Sequence, residues 1–168
     1  LLTGVVDPLV AQACGWLLGV LHAGSWGDAV VKDRIGSTEF FDDLRLDPYY
    51  RQIARVHAEL QTPVNRLLEL NGRHRHCLVH GDYSPKNILV NDEGVVLLDF
   101  EVGHFGDPAF DLGFFLTHLH IKALIADKKT APAAMSFASI ARIWRFFVTK
   151  SVIIFHENRD ISTIMFIL

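Results

Sequence analysis

The sequence predicts a mostly helical α+β domain. Apolar residues recur at helical spacing on both sides of a central stretch, residues 77–98, in which they come as short runs instead. The runs are β-branched or aliphatic and are separated by turn-forming residues, which is the pattern of short strands. With 168 residues, the chain can bury one core but is too short for two ordinary domains. We therefore expect a single domain over residues 1–168.

The first helix is predicted over Asp7 to Ala23. Asp7 suits the N-cap, Pro8 suits the first helical position, and Gly24 suits the end. The rest of the N-terminal half is predicted as a glycine-rich connector over residues 25–37, a short helix over residues 38–44, and a longer helix that opens at Asp47-Pro48, ends near Leu70 and is kinked or divided at Pro63.

Three short strands are predicted after Asn71-Gly72, at Cys77–Val79, Ile88–Val90 and Val95–Leu98. The last two flank the hairpin loop Asn91-Asp92-Glu93-Gly94, whose final glycine can adopt a positive φ. Helical patterning returns from Pro108 onward, and a further helix is predicted from about Pro132 to Phe155.

Composition excludes several classes of protein. The 16 basic and 19 acidic residues give a net charge of −3, so nothing points to nucleic acid or an anionic membrane as a partner. No apolar stretch reaches the roughly 20 residues of a membrane span. Two cysteines do not make a disulfide scaffold, which favours a reducing, cytoplasmic location. The start Leu-Leu-Thr-Gly resembles neither a signal peptide nor a natural N-terminus, so we expect a piece of a longer chain.

Three polar side chains lie where predicted strands meet loops. Strand ends are rigid anchors, so Asp82, Asn87 and Asp99 can converge on one point. Oxygen ligands of this kind suit magnesium, which completes its shell with water and nucleotide phosphates. Phosphoryl transfer also needs a carboxylate that orients the attacking hydroxyl and accepts its proton, and Asp82 is the candidate for that role.

The order of these motifs resembles the aminoglycoside phosphotransferase and choline kinase-like family, which shares the protein kinase fold. The resemblance rests on His80-Gly81-Asp82 followed by Asn87, on the hairpin and Asp99-Phe100-Glu101 after it, and on Gly106 to Leu112. It implies that Asp82 is the catalytic base, that Asn87 and Asp99 bind magnesium and the nucleotide phosphates, and that His80 and Asp111 support the catalytic loop.

Departures from the protein kinase motifs narrow the expected substrate class and the part of the fold that is present. Glu101 replaces the Gly of Asp-Phe-Gly and Gly81 replaces the Arg of His-Arg-Asp, which disfavours a protein substrate. No glycine-rich phosphate loop and no strand-borne lysine of the Val-Ala-Ile-Lys type occurs in the chain. The resemblance therefore implies a kinase-like C-terminal lobe that carries a short β-hairpin and lacks the N-terminal nucleotide-binding lobe.

The expected function is ATP-dependent transfer of the γ-phosphate to a hydroxyl of a small molecule, with Mg²⁺ as cofactor. An aminoglycoside, a choline-like amine, a sugar or an amino alcohol all remain open as the acceptor, as does the oligomeric state. Alone, this lobe would be an incomplete enzyme. The alternative is a catalytically inactive kinase-like binding or scaffold module.

Three other patterns have alternative interpretations. His74, His76 and Cys77 invite a zinc site, but no second Cys/His pair at finger spacing follows, so surface and core roles are favoured. Lys86 is interpreted as a solvated loop lysine rather than a group that screens phosphate charge. Phe114 and the neighbouring aromatic residues are interpreted as core, with the lining of an acceptor pocket as the alternative.

Overall fold

The structure, a computed structural model, describes residues 7–126, with side chains described as far as residue 122. It is mostly helical with two small sheets, as predicted. The predicted helix from about Pro132 to Phe155 lies outside the described residues. The helices are α1 (Pro8–Gly24), α2 (Ala29–Arg34), α3 (Glu39–Phe41), a π-helix (Asp42–Arg51), α4 (Gln52–Val56), a 3₁₀ turn (Ala58–Leu60), α5 (Gln61–Arg73), a second 3₁₀ turn (Pro85–Asn87) and α6 (Ala109–Ala126).

The first helix forms as its sequence predicts. The Asp7 side chain accepts a hydrogen bond of 2.8 Å from the backbone N–H of Leu9, and Pro8 occupies the first helical position, where its missing N–H costs nothing. The predicted connector over residues 25–37 was wrong in part, because it contains α2. Asp28 caps that helix by accepting from the N–H groups of Val30 and Val31.

The helical segment after residue 38 differs from the prediction in two places. Pro48 does not open a helix but lies inside the π-helix, whose wider turns leave room for a residue without an N–H. The division expected at Pro63 comes earlier, at His57, where the backbone is extended. Pro63 itself sits in the first turn of α5, a position that proline tolerates.

The strands form two separate antiparallel pairs. The predicted hairpin is present as β2 (Ile88–Asn91) and β3 (Gly94–Leu97), with Ile88 opposite Leu97. The other strand of the prediction, β1 (Cys77–Val79), pairs with β4 (His104–Gly106). The sequence analysis missed β4 because it has three residues and no β-branched side chain. It forms through its pairing with β1.

Two buried clusters enclose the loop between β1 and β2. One joins α1, α6 and the loop itself, and it contains Ala11, Cys14, Leu18, Tyr83, Ile88, Leu112, Phe115 and Leu116. The other lies between the segment around Phe41 and β1, and it contains Phe41, Leu46, Cys77, Val79 and Phe110. The Tyr83 side chain is fully buried, and its hydroxyl donates to the carbonyl of Cys14 at 2.7 Å. The loop is thus held between α1 and α6.

Among the helices that the structure describes, none combines the length and the apolar character needed to cross a membrane.

Candidate active site

The segment His80 to Ser84, which we call the catalytic loop after the role that the resemblance implies, begins directly after β1 and is buried throughout. Gly81 takes φ +77°, and a Cβ there would lie 2.9 Å from the carbonyl oxygen and from Cγ2 of Val102. Only glycine satisfies both the left-handed conformation and the close approach. The Gly between His80 and Asp82 is therefore a requirement of the loop's path.

Asp111, in the first turn of α6, holds the start of this loop. Its Oδ2 accepts from the backbone N–H of His80 at 2.7 Å, and its Oδ1 accepts from the N–H of Gly81 at 2.8 Å. On the other side, Nε2 of His22 lies 3.0 Å from Oδ2. One buried carboxylate thus connects α1, α6 and the catalytic loop.

The His80 side chain links the catalytic loop to the end of β3. Its Nδ1 accepts from the backbone N–H of Asp82 at 3.2 Å, so the proton is on Nε2, which donates to the carbonyl of Leu98 at 2.9 Å. Leu98 directly precedes Asp99. The imidazole therefore sets the distance between the two segments that carry the predicted catalytic and metal-binding carboxylates.

Asp82 is 1% exposed, and the two oxygens of its carboxylate differ in the contacts that they make. Three nitrogens converge on Oδ2: Nη2 of Arg45 at 2.9 Å, Nζ of Lys86 at 2.8 Å and Nδ2 of Asn87 at 3.0 Å. Within the described part of the chain, Oδ1 receives no hydrogen bond. One oxygen is anchored by three nitrogens, and the other has no hydrogen-bond donor among the described residues.

A backbone hydrogen bond connects Asn87 with the residue before Asp99. The carbonyl of Asn87 accepts from the N–H of Leu98 at 2.9 Å. The Nδ2 group of Asn87 donates to the backbone and side chain of Asp82, so its Oδ1 is the atom available to a cation. The two predicted magnesium ligands therefore belong to one connected unit.

Asp99 is exposed and has φ +66°, the left-handed region that side chains other than Gly, Asn and Asp avoid. Its carboxylate forms no hydrogen bond or ion pair with any described residue. A left-handed backbone that presents a carboxylate without a partner among the described residues is typical of a ligand-binding position. The donor set of one amide oxygen and one carboxylate fits Mg²⁺, which takes one or two carboxylates and fills its shell with water and phosphates.

Other metal sites find no support in the described residues. No group of three or more His, Cys, Asp or Glu side chains there could hold a metal ion. Burial raises the pKa of the Cys77 thiol, with the carboxylates of Asp111 and Asp107 adding to the effect, so this group stays protonated at neutral pH. Cys77 packs as a small buried group of the core, the role that its sequence context favoured.

The surroundings of Asp82 on the α6 side are aromatic. The ring of Phe114 lies 4.6 Å from the ring of His118 and 6.0 Å from Cζ of Arg45. Partial burial lowers the pKa of His118, against an opposing pull from the Asp82 carboxylate. The neutral imidazole of His118 and the half-buried ring of Phe114 therefore lie beside the Arg45 guanidinium that contacts Asp82.

Sequence reasoning missed two residues of this site and underrated a third. Arg45 lies in the π-helix, 36 residues before Gly81, and His22 lies in α1, so no local motif marks either one. Lys86 was interpreted as solvated, and its side chain is indeed 61% exposed, yet Nζ pairs with Asp82. A spacing of four residues predicts a side-chain pair only within a helix, and residues 82–84 are not helical, so the sequence carried no signal for this contact.

Comparison with known proteins identifies the class. A family model described as the phosphotransferase enzyme family (APH) matches residues 3–136, and the chain belongs to this family. The resemblance stated from the motifs is thereby confirmed. Among curated proteins, the chain is similar to methylthioribose kinase 2 of Oryza sativa subsp. japonica, with 25% identity over 113 residues. The match covers 63% of this chain and spans 26% of the relative's length.

Proposed function

We propose that this protein is an ATP-dependent phosphotransferase that transfers the γ-phosphate to a hydroxyl of a small molecule. The observation that carries the proposal is the asymmetric Asp82 carboxylate, anchored through Oδ2 by three nitrogens and unoccupied by described residues at Oδ1. A general base must lie within hydrogen-bond reach of the proton it accepts, and Oδ1 is the atom that can do so.

The proposed step transfers the phosphoryl group directly from the nucleotide to the acceptor. The acceptor O–H bond breaks, and its proton passes to Oδ1 of Asp82. The acceptor oxygen bonds to the γ-phosphorus while the bond from that phosphorus to the β,γ-bridging oxygen breaks, which releases ADP. Because the transition state is loose and the proton leaves late, orientation of the hydroxyl is the larger contribution of the carboxylate.

The magnesium ligands in this proposal are Oδ1 of Asn87 and the carboxylate of Asp99. When bound, Mg²⁺ neutralises charge on the nucleotide phosphates. Asp99 suits the role because its carboxylate has no partner among the described residues, and Asn87 suits it because its amide nitrogen is already engaged by Asp82. The role of His80 and Asp111 is support of the loop, through the bonds described above.

The proposal includes a second lobe that would complete the nucleotide site. Residues 7–126 would belong to a kinase-like C-terminal lobe, and the strand-borne lysine and phosphate loop would come from residues outside the given chain. A small molecule in solution is the proposed partner, and the cytoplasm the proposed location. The name of the rice relative makes a ribose-type sugar the first acceptor to test, ahead of amino alcohols, choline-like amines and aminoglycosides.

The test is an acceptor screen with the full-length protein. Purified protein is incubated with Mg²⁺, ATP and each acceptor class, and ADP release above the acceptor-free rate is measured. Phosphorylated product confirmed by mass, with at least one class of acceptor, supports the proposal. Magnesium-dependent ATP binding without transfer to any acceptor would contradict it and favour the inactive binding module.

A further inference from the structure

Arg45 is a buried charged residue that belongs to no recognisable sequence motif. Its side chain is 10% exposed and lies in the π-helix Asp42–Arg51, while its partners lie at the start of the catalytic loop. Buried guanidinium groups are rare unless they are paired and hydrogen-bonded, because desolvation of an unpaired charge is costly. The contacts of Arg45 therefore indicate why an arginine occupies this position.

Arg45 binds the backbone and the side chain of the catalytic loop at the same time. Nε donates to the carbonyl of Gly81 at 3.0 Å, and Nη2 lies 2.9 Å from Oδ2 of Asp82. The remaining arm is fixed by donation from Nη1 to the carbonyl of Leu44 at 2.9 Å. Since the guanidinium is planar and rigid, these bonds set the carboxylate at a fixed position relative to the peptide that precedes it.

Lys86 contacts the same carboxylate oxygen in a different way. Its side chain is 61% exposed, it belongs to the turn that follows the catalytic loop, and its Nζ–Oδ2 contact is a single bond from a flexible side chain. The carboxylate is buried, but the exposed and flexible lysine side chain is held by this one contact and can exchange it for water or a ligand. The fixed restraint on Asp82 from a cation therefore comes from Arg45.

We propose that Arg45 is a positioning residue of the transfer reaction: by holding Oδ2, it aims Oδ1 of Asp82 at the acceptor hydroxyl. This inference rests on the proposed function. Asn87 also donates to Oδ2, but of the three donors only Arg45 also binds the carbonyl of Gly81. Without Arg45, the carboxylate can turn and exchange its two oxygens. Because effective transfer requires a near-attack geometry, a carboxylate freed from this restraint loses rate even though the base itself is still present.

The experiment compares three variants of the full-length protein. Arg45→Met removes all the side-chain bonds, Arg45→Lys keeps a positive charge but not the planar fork, and Arg55→Met is the matched control. Arg55 lies on α4, is 57% exposed and pairs with Asp47 at 2.8 Å, away from the catalytic loop. For each variant, kcat and the KM values for ATP and acceptor are measured, with circular dichroism and ATP binding as checks of folding.

The expected result is a kcat loss with little change in KM. For Arg45→Met we expect kcat to fall about 100-fold while both KM values stay within about threefold. Arg45→Lys recovers part of the loss, because its ammonium reaches Oδ2 without also fixing the Gly81 carbonyl. Arg55→Met retains wild-type kinetics. A merely structural role would instead lower the folded fraction and leave kcat per folded molecule unchanged.

The remaining outcomes separate the two proposals. Wild-type kcat in a folded Arg45→Met variant overturns the positioning role and leaves the proposed function standing. If Arg45→Met does not fold, Arg45→Lys decides: a lowered kcat at unchanged KM supports the role, and an unchanged kcat overturns it. A wild-type protein that transfers phosphate to no acceptor overturns the proposed function, and this inference with it.

Discussion

Nε2 of His22 lies 3.0 Å from Oδ2 of Asp111, and both side chains are completely buried. The two residues are 89 positions apart, on α1 and α6. The same carboxylate also accepts the backbone N–H groups of His80 and Gly81. The catalytic loop is thus fixed by a polar contact that spans the domain, and loss of this contact affects stability and loop geometry together.

Replacement of Asp111 by Ala is therefore expected to be strongly destabilising. The change removes the buried acceptor of two backbone N–H groups and one contact of the His22 imidazole, and we expect a loss of about 3–5 kcal/mol in the free energy of unfolding. Urea unfolding of the full-length protein measures the change. Asp92→Ala, in the exposed hairpin turn, is the control and should stay within about 0.5 kcal/mol of wild type. A loss below about 1 kcal/mol for Asp111→Ala would contradict the assigned role.

Asp82→Asn should separate chemistry from binding. The amide keeps the shape of the side chain but accepts a proton poorly, so we expect kcat to fall by about 10²–10⁴ while the Kd for Mg·ATP changes little. Asp47→Asn, which alters a half-exposed carboxylate paired with Arg55, is the matched control. Steady-state kinetics and calorimetric titration of nucleotide supply the two numbers. Near-normal turnover in Asp82→Asn would remove Asp82 from its proposed role.

The fold was predictable where local signals are strong. The Asp7-Pro8 start of α1 and the Asn91–Gly94 turn of the hairpin are set by cap and turn chemistry, which a sequence displays directly. Strand β4 and the π-helix were not predictable. The first forms only through its pairing with β1, and the second arises where Pro48 falls inside a packed helical segment. Tertiary context decides both.

The residues of the candidate site also include some that the sequence predicts and some that it does not. Asp82, Asn87 and Asp99 could be chosen from the sequence because they stand at strand ends within one ordered motif. Arg45 could not, because the π-helix carries it to the catalytic loop from a distant part of the chain. The conformation of Asp99 was equally hidden, since a positive φ at a non-glycine residue leaves no mark on the sequence.

Asp99 should show a trade-off between stability and binding. Asp99 has φ +66°, where alanine lacks the polar side chain that makes this region tolerable and glycine has no Cβ that could clash. Asp99→Ala should therefore be about 1 kcal/mol less stable than Asp99→Gly. Both variants lose the carboxylate and should lose magnesium-dependent ATP binding. Urea unfolding and ATP titrations with and without Mg²⁺ measure the two effects. Magnesium-dependent binding that survives in both variants would exclude Asp99 as a ligand.

His104 should make the fold sensitive to acid. The residue is 2% exposed and its ring stacks on Phe41 at 4.0 Å. Burial lowers the pKa of His104 below its ordinary value of 6.5, and the hydrogen bond with the Val102 carbonyl opposes this shift only in part. Below pH 6.5 the unfolded chain therefore binds a proton that the folded chain does not. Because the unfolded state then holds more protons, the free energy of unfolding falls as the pH drops through that range.

The measurement is urea unfolding of the full-length protein at neutral and mildly acidic pH. Burial also lowers the pKa of His118, which acts in the same direction, so the contribution of His104 is obtained by difference. His104→Gln keeps a donor for the Val102 carbonyl but cannot titrate, and it should lose less stability on acidification than wild type. His57→Gln, at a half-exposed surface position, accounts for the general effect of removing an imidazole. If acid destabilises His104→Gln as much as it destabilises wild type, then His104 binds the same number of protons in the folded and unfolded chains. That result would contradict the lowered pKa of His104.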